Sequence, residues 1–149
     1  MLKRLTDFLD TEGVAYEIRF HPEPAATQEA ERFARVVMVR AGDGCLLAVL
    51  PAPYDVSLDG LAEATGIRRL RLASEFERDA LFPACEPGTL PPFGNLYRVP
   101  VWVDASFAPD DEIVFPVGSP DQTVRMAYGD FVRLVQPRIG SFRKETERS

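Results

Sequence analysis

The sequence predicts a single α+β domain in which a mixed, partly barrel-like β-sheet is flanked by helices. The chain has 149 residues, which is about the size of one domain. Helix-like and strand-like segments are interspersed without the regular βαβ alternation of a doubly wound sheet. Two apolar runs are joined by a tight-turn sequence, which indicates a central hairpin. The final residues, about 138–149, are expected to form a flexible tail.

The first predicted elements are a helix and a strand. Apolar side chains recur at helical spacing over residues 2–9, and Gly13 is a typical C-terminal stop. Residues 14–20, "VAYEIRF", alternate apolar and polar side chains, as a half-buried strand does. Two prolines then interrupt the pattern, and a short helix is expected over about 26–33.

The middle of the chain is predicted to be an apolar hairpin followed by two helices. Residues 35–40 and 45–50 are strand-like runs joined through Gly-Asp-Gly. Ser57 can cap a helix that ends at Gly66. A short strand, "LRLA", then precedes "SEFE", a capping box that begins a helix through Leu81.

The second half is predicted to contain a loop, three strands and a final helix. Residues 83–94, "PACEPGTLPPFG", combine proline and glycine with apolar side chains, which indicates a structured loop. The segments "YRVPVWVD" and "EIVFPVG" are interpreted as strands, so Pro100 and Pro116 should lie at edges or bulges. A further strand, "QTVRMAY", leads into the helix "GDFVRLVQ", which ends before Pro137.

Composition and charge exclude several classes of protein. Hydrophobic residues make up 46% of the chain and charged residues 27%, as in ordinary globular domains. No apolar run approaches the roughly 18 residues of a membrane span, and the N-terminus is unlike a secretory signal, so a cytoplasmic location is expected. A net charge of -6 argues against a general nucleic-acid coat protein. A local cluster of arginines, Arg68, Arg69 and Arg71, could still bind an anionic partner, but solvated surface charge is the favoured interpretation.

Residues that commonly carry catalysis are sparse. His21 is the only histidine, which excludes a His-rich metal site, and neither a Walker loop nor a Gly-x-Gly-x-x-Gly motif is present. Cys45 and Cys85 are expected to be reduced, mostly buried thiols. We therefore expect neither a metal nor a cofactor.

Three features remain as candidates for a functional site. Arg35 stands directly before the apolar run of the hairpin, residues 88–94 form the loop "GTLPPFG", and residues 117–124 read "VGSPDQTV". Each feature alone is weak, because glycine- and proline-rich loops usually only turn corners. Their order and spacing together are more informative.

In that order and spacing the chain resembles the YbaK and prolyl-tRNA editing domain family, also called the aminoacyl-tRNA synthetase-associated domain. The resemblance covers nearly the whole chain and is most specific from Ser74 to Gly94. It implies a trans-acting protein that hydrolyses the ester between a wrong amino acid and the 3′ end of a tRNA. Water, helped by the ribose hydroxyl and by backbone donors, would attack the carbonyl, without a metal, a cofactor or a covalent nucleophile. Aminoacyl-tRNA is the implied partner, and an aminoacyl-tRNA synthetase is an open second one.

The resemblance also assigns roles to individual residues. Arg35 occupies the position of a family lysine that faces the ester and the terminal nucleotide. Gly118 and Ser119 keep the pattern of the residues that face the substrate carbonyl, so the implied catalytic residues are these two and Arg35. The implied substrate-binding residues are Gly88, Pro92, Phe93, Gly94 and Thr123.

Three departures from the family pattern leave two functions open. Arginine replaces lysine at position 35, Pro120 stands where relatives often have a polar residue or histidine, and the segment before Arg35 is shortened. A guanidinium is a planar fork, whereas an ammonium is a compact point donor, so the exchange is not neutral. The chain is thus expected to be a deacylase, with weakened activity if the lysine is essential, or a binding module that has lost the chemistry. A third idea, protein binding through Trp102 and Tyr97, is less favoured because such residues usually belong to a strand core.

Overall fold

The structure is a computed structural model that describes residues 2–20, 32–83, 85–86 and 88–145. These residues form helices, strands and one short 3-10 turn at Gly94–Leu96. The helices are α1 (Leu2–Thr11), α2 (Leu58–Thr65), α3 (Glu75–Leu81) and α4 (Tyr128–Val135). The strands are β1 (Tyr16–Phe20), β2 (Ala34–Ala41), β3 (Gly44–Pro51), β4 (Tyr54–Val56), β5 (Leu70–Leu72), β6 (Val101–Asp104), β7 (Glu112–Pro116), β8 (Gln122–Ala127), β9 (Arg138–Gly140) and β10 (Arg143–Glu145).

Five strands form a mixed sheet in the order β5-β2-β3-β6-β9. The β2–β3 and β2–β5 pairs are antiparallel, whereas β3–β6 and β6–β9 are parallel. A second, antiparallel sheet has the order β1-β8-β7, and β4 pairs with β10. One parallel bridge between Phe33 and Val114 joins the start of β2 to β7. Within the described ranges the two larger sheets therefore meet at a seam without closing a barrel, which confirms the predicted fold class.

Two apolar cores lie on opposite faces of the five-stranded sheet, because successive side chains of a strand point to opposite sides. Val36 and Met38 of β2 belong to the first core, which the three-stranded sheet covers with residues such as Phe115. Val39 belongs to the second core, which α2 covers through Leu61. The loops of the candidate site contribute to the first core.

Local signals explain where both middle helices begin and where α2 ends. The Ser57 hydroxyl accepts a hydrogen bond from the Gly60 N–H (3.1 Å), and Gly66 ends α2 in the left-handed region, with φ 76°. Ser74 and Glu77 satisfy each other's backbone N–H groups at 3.2 and 2.9 Å, which confirms the predicted capping box.

The end of the chain differs from the expected flexible tail. Residues 138–145 contain β9 and β10, and residues 146–149 lie outside the described part. Phe142 is 1% exposed in the second core. The buried Asp104 carboxylate accepts hydrogen bonds from the Phe142 and Arg143 N–H groups at 2.9 and 3.1 Å. The buried Phe142 side chain and the Asp104 carboxylate therefore hold in place a segment whose sequence is mostly polar.

The two prolines of the predicted strands lie next to a strand or at the end of one. Pro100 directly precedes β6, and its carbonyl accepts a hydrogen bond from the Leu47 N–H at 2.8 Å. Pro116 ends β7, which is an edge strand of its sheet. Neither proline therefore leaves a gap in a strand ladder through its missing N–H. The prediction holds for Pro116, whereas Pro100 lies just outside the observed strand, which begins at Val101 and not at Tyr97.

Two further expectations concern the region before β2. The alternation over residues 14–20 groups Phe20 with the apolar side chains of a half-buried strand, but Phe20 is 64% exposed at the end of the edge strand β1. The predicted helix over 26–33 falls mostly on residues outside the described part, and Phe33 itself forms the bridge to β7.

Among the helices described, none is long and apolar enough to cross a membrane.

Candidate functional site

Two of the three predicted segments meet in the structure. The Gly118 N–H donates to the Thr89 carbonyl at 2.9 Å, and the Gly118 carbonyl accepts from the Glu86 N–H at 3.0 Å. Gly118 has φ 79°, a left-handed conformation that glycine adopts without strain. The turn after β7 is therefore hydrogen-bonded to the 88–94 loop, and the Gly118 N–H already has the Thr89 carbonyl as its acceptor.

Phe93 anchors the 88–94 loop in the first core. Its side chain is 0% exposed, and its ring lies 5.6 Å from Phe115, 5.6 Å from Phe131 and 6.2 Å from Phe8, measured between ring centroids. Pro92 before it is also buried. These two residues support the loop from inside the protein.

Gly94 lies where the chain passes very close to itself. A Cβ on Gly94 would lie 2.3 Å from the Val99 carbonyl oxygen and 2.7 Å from Val101 Cγ2. The Gly94 carbonyl also accepts hydrogen bonds from the N–H groups of Tyr97 and Val99 at 2.9 Å. The glycine is therefore required for the close approach of two backbone segments.

A small cavity of about 90 Å³ lies between α3 and the 88–94 loop. We call it the loop cavity. Three carboxylates line it against one guanidinium, that of Arg78, which donates to the Ala73 carbonyl at 3.0 Å. Of the predicted substrate-binding residues in the described part, Gly88 alone lines this cavity. Its lining residues are Glu75, Arg78, Asp79, Phe82, Cys85, Glu86, Gly88 and Leu90.

Cys85 and Thr89 are polar groups of this site that sequence reasoning missed. The buried Thr89 hydroxyl donates to the Glu86 carbonyl at 2.6 Å and lies 3.4 Å from Cys85 Sγ. Burial raises the pKa of the Cys85 thiol, although the Thr89 hydroxyl opposes this. At neutral pH the thiol is thus a neutral hydrogen-bonding group. The only sequence signal was the position of both residues inside "ACEPGT".

Ser119 lies in the middle of the β7–β8 turn, and Thr123 is the second residue of β8. The Ser119 hydroxyl accepts a hydrogen bond from the Asp121 N–H at 3.2 Å, and its carbonyl accepts from the Gln122 N–H at 3.4 Å. A hydroxyl that accepts can still donate its own proton, so Ser119 keeps a donor for a substrate oxygen. Thr123 is buried opposite Pro116.

Arg35 is held on β4. Its guanidinium donates to the Tyr54 carbonyl at 3.3 Å and lies 3.6 Å from the Asp55 carboxylate, with 45% of the side chain exposed. It shares a strand face with Val37, on the side of the second core. Its backbone lies two residues beyond Phe33, next to β7. The structure thus places Arg35 near the β2–β7 seam, and it does not contribute to the lining described for the loop cavity.

Of the other residues considered from the sequence, Tyr97, Cys45 and Cys85 belong to the described part, and His21 does not. The Tyr97 ring packs 4.6 Å from Phe82, and the Arg4 guanidinium lies 4.6 Å from the Tyr97 ring centroid. Cys45 and Cys85 are free and partly buried. His21 is not described.

Comparison with known proteins connects this architecture to one family and several structures. The aminoacyl-tRNA editing domain family matches residues 23–134. The Multifunctional Ser/Thr-tRNA deacylase ProXp-y of Escherichia coli K12 is 30% identical over 155 residues, covering 95% of this chain and 92% of that protein.

Two solved structures have the same fold. A candidate trans-editing enzyme for prolyl tRNA synthetase matches with a TM-score of 0.78 and 18% identity, over 95% of this chain and 96% of that one. A hypothetical protein, APE2540, matches with a TM-score of 0.80 and 14% identity, over 94% and 99% of the two chains. At these identities the likeness concerns the fold alone.

Proposed function

Because this chain belongs to the aminoacyl-tRNA editing domain family, we propose that it is a trans-acting deacylase that hydrolyses the ester of a mischarged tRNA. The loop cavity is the observation that carries this proposal. The similar E. coli protein is named for serine and threonine, so a small amino acid is the proposed substrate group. The cytoplasm, where aminoacyl-tRNA is used, is the proposed compartment.

The charge and size of the loop cavity suit a small aminoacyl group. An amino acid esterified to tRNA carries an α-ammonium, and three carboxylates against one guanidinium attract a cation. A volume of about 90 Å³ holds a few non-hydrogen atoms and is too small for an aromatic side chain. Glu75, Asp79 and Glu86 are the proposed ammonium-binding carboxylates.

The proposed reaction needs a positioned water and a donor for the oxyanion. Water adds to the ester carbonyl, and the bond between the carbonyl carbon and the ribose oxygen breaks. The ribose oxygen takes up the proton that the water has lost, and the free amino acid leaves. The raised pKa of Cys85 argues against a thiolate nucleophile. Since the Gly118 N–H is engaged by Thr89, the Ser119 hydroxyl is the proposed donor to the developing oxyanion.

Arg35 is the proposed anchor for a phosphate at the 3′ end of the tRNA. Its ion pair with Asp55 is half exposed, and such pairs contribute only about 0–1 kcal/mol. A phosphate can accept a forked, charge-assisted pair of hydrogen bonds from a guanidinium, so it can compete with Asp55.

The direct test uses tRNAs mischarged with serine, threonine, alanine or phenylalanine. We expect faster release of the small amino acids than of phenylalanine. Asp79→Asn should slow release by removing a cavity carboxylate, whereas Asp130→Asn on α4 should not. Release at the background rate for every small amino acid would refute the deacylase.

A non-catalytic binding module is the second candidate. Two contacts support it. The Arg35 guanidinium donates to the Tyr54 carbonyl of β4, and the Gly118 N–H donates to the Thr89 carbonyl, so neither donor is free for the substrate as the resemblance implies. In that case the protein should bind aminoacyl-tRNA and slow the spontaneous hydrolysis of the ester. The same release assay distinguishes the two candidates, because they change the rate in opposite directions.

A further inference from the structure

Four arginines lie together beside an open groove of about 720 Å³, between the β2–β3 turn and the α2–β5 connection. Two acidic side chains, Asp43 and Glu77, lie among them, which leaves an excess of two positive charges. This excess occurs on a chain whose net charge is -6. We call this surface the basic patch: Arg40, Arg68, Arg69 and Arg71.

The basic patch contains both fixed and available guanidinium groups. Glu77 binds Arg71 through two bonds of 2.7 and 3.0 Å and lies 3.5 Å from Arg40, so these two are held in place. Arg68 and Arg69 are exposed, and neither forms an ion pair with another described residue. Gathering like charges costs free energy by repulsion, and an anionic ligand would offset that cost.

An exposed aromatic ring accompanies the arginines. Phe76, which directly precedes Glu77 on α3, is 82% exposed, and Leu72 on β5 is 54% exposed. Proteins that bind single-stranded nucleic acid combine cationic grooves with aromatic rings on which bases stack. A solvated charge cluster would not need the exposed phenylalanine beside it.

Helix α3 connects this surface to the loop cavity. Glu75, Arg78 and Asp79 line the cavity, whereas Glu77 faces the basic patch, and helical periodicity places Phe76 between the two sides. The helix is about 10 Å wide with its side chains. A tRNA whose last nucleotide lies at the cavity would therefore bring its preceding phosphates and bases past Phe76 and the arginines.

We propose that the basic patch binds phosphates of the tRNA acceptor end and that Phe76 stacks on one of its unpaired bases. This inference rests on the proposed function, because it takes the loop cavity as the aminoacyl site. The partner is RNA rather than an acidic protein, since the exposed ring and the cations together suit bases and phosphates.

The test measures binding of the full chain to an uncharged acceptor-stem minihelix, by fluorescence anisotropy at several salt concentrations. The double variant Arg68→Glu/Arg69→Glu should weaken binding at least about tenfold and reduce the salt slope by about two. A matched control reverses two exposed arginines elsewhere, Arg19→Glu/Arg133→Glu, and should change binding less than about threefold. Equal losses in the two double variants would overturn the proposal.

The contribution of Phe76 is tested with two RNAs, one ending in the single-stranded CCA and one blunt. Phe76→Ala should weaken binding of the CCA-ended RNA by about fivefold or more and leave the blunt RNA unchanged, and Phe76→Trp should restore it. Equal effects on both RNAs would contradict stacking. Displacement of the RNA by polyglutamate at an equal concentration of charge would instead indicate an acidic protein partner.

Uncharged RNA has no ester, so these experiments do not depend on hydrolysis. RNA binding without deacylation would refute the enzyme and leave the basic patch standing. Deacylation with unchanged KM in the Arg68→Glu/Arg69→Glu variant would overturn the patch and leave the enzyme standing.

Discussion

Arg40 and Arg71 lie directly opposite each other on β2 and β5, and the single carboxylate of Glu77 contacts both. Like charges opposite each other on antiparallel strands repel. The Arg71 guanidinium, followed by the Ser74 N–H, lowers the pKa of Glu77 to about 2. The carboxylate therefore stays charged at any ordinary pH and links α3 to the sheet.

The first prediction is a stability change in acid that depends on Glu77. Its pKa falls from 4.5 to about 2 on folding, so its contribution is complete above pH 4.5 and is lost as the pH falls towards 2. Glu77→Gln keeps an acceptor for the Ser74 N–H but removes the charge. Urea unfolding should show wild type more stable at neutral pH, with the difference shrinking over this window. A pH-independent difference would contradict the assignment.

The second prediction concerns two glycines in different surroundings. Gly94→Ala should destabilise the protein by several kcal/mol, because its Cβ would collide with the Val99 carbonyl and the backbone would have to move. Gly129→Ala on α4 meets nothing within 4 Å and should stabilise by up to about 1 kcal/mol. Thermal unfolding of both variants is the measurement, and similar melting temperatures would refute the close approach at Gly94.

The third prediction concerns the buried carboxylate at the end of β6. Asp104→Ala removes the acceptor for the N–H groups of Phe142, Arg143 and Ser106 and should cost about 3 kcal/mol. For a chain of this length the melting temperature falls by about 2–4 °C per kcal/mol. Exposed Asp110→Ala should change stability by less than about 0.5 kcal/mol. Hydrogen exchange should also show faster exchange of the Phe142 amide in Asp104→Ala.

The fourth prediction separates the two candidate functions through Arg35. If Arg35 anchors a phosphate, Arg35→Ala should raise KM for deacylation about tenfold or more, with kcat nearly unchanged. Arg35→Lys keeps the charge and should have a smaller effect. An increase in deacylation of tenfold or more in Arg35→Lys would instead indicate a decayed site. Asp55→Asn, which removes the charge paired with the guanidinium, should lower KM slightly.

The fifth prediction concerns Cys85. Since burial raises the pKa of its thiol, Cys85→Ser should retain most of the deacylase activity of the wild type. The serine hydroxyl can replace the thiol in the contact with Thr89. A loss of about a hundredfold or more in kcat, with an intact fold by circular dichroism, would show that the thiol takes part in catalysis.

Features encoded within a few residues could be predicted from the sequence. The capping box of Ser74 and Glu77, the stop at Gly66 and the hairpin turn at Gly42 all depend on neighbours in the chain. The fold class followed from the same local signals, because they divide the chain into irregularly alternating helices and strands.

Features of the site that depend on distant residues could not be predicted in the same way. Two hydrogen bonds depend on how separate elements pack. One joins the Gly118 N–H to the Thr89 carbonyl, and the other joins the Arg35 guanidinium to the Tyr54 carbonyl. No local pattern shows that the Gly118 N–H is already engaged. The tail was predicted wrongly over 138–145 for the same reason, since its main partner, Asp104, lies on another strand.

The pairing of β1 with β8 has a consequence for synthesis of the protein on the ribosome. Tyr16 pairs with Met126, so the first strand stays without this neighbour until residue 126 has left the exit tunnel. Contacts between such distant residues slow folding, because a long loop must close before they form. The nascent chain must therefore keep an exposed strand edge from aggregating until β8 has emerged.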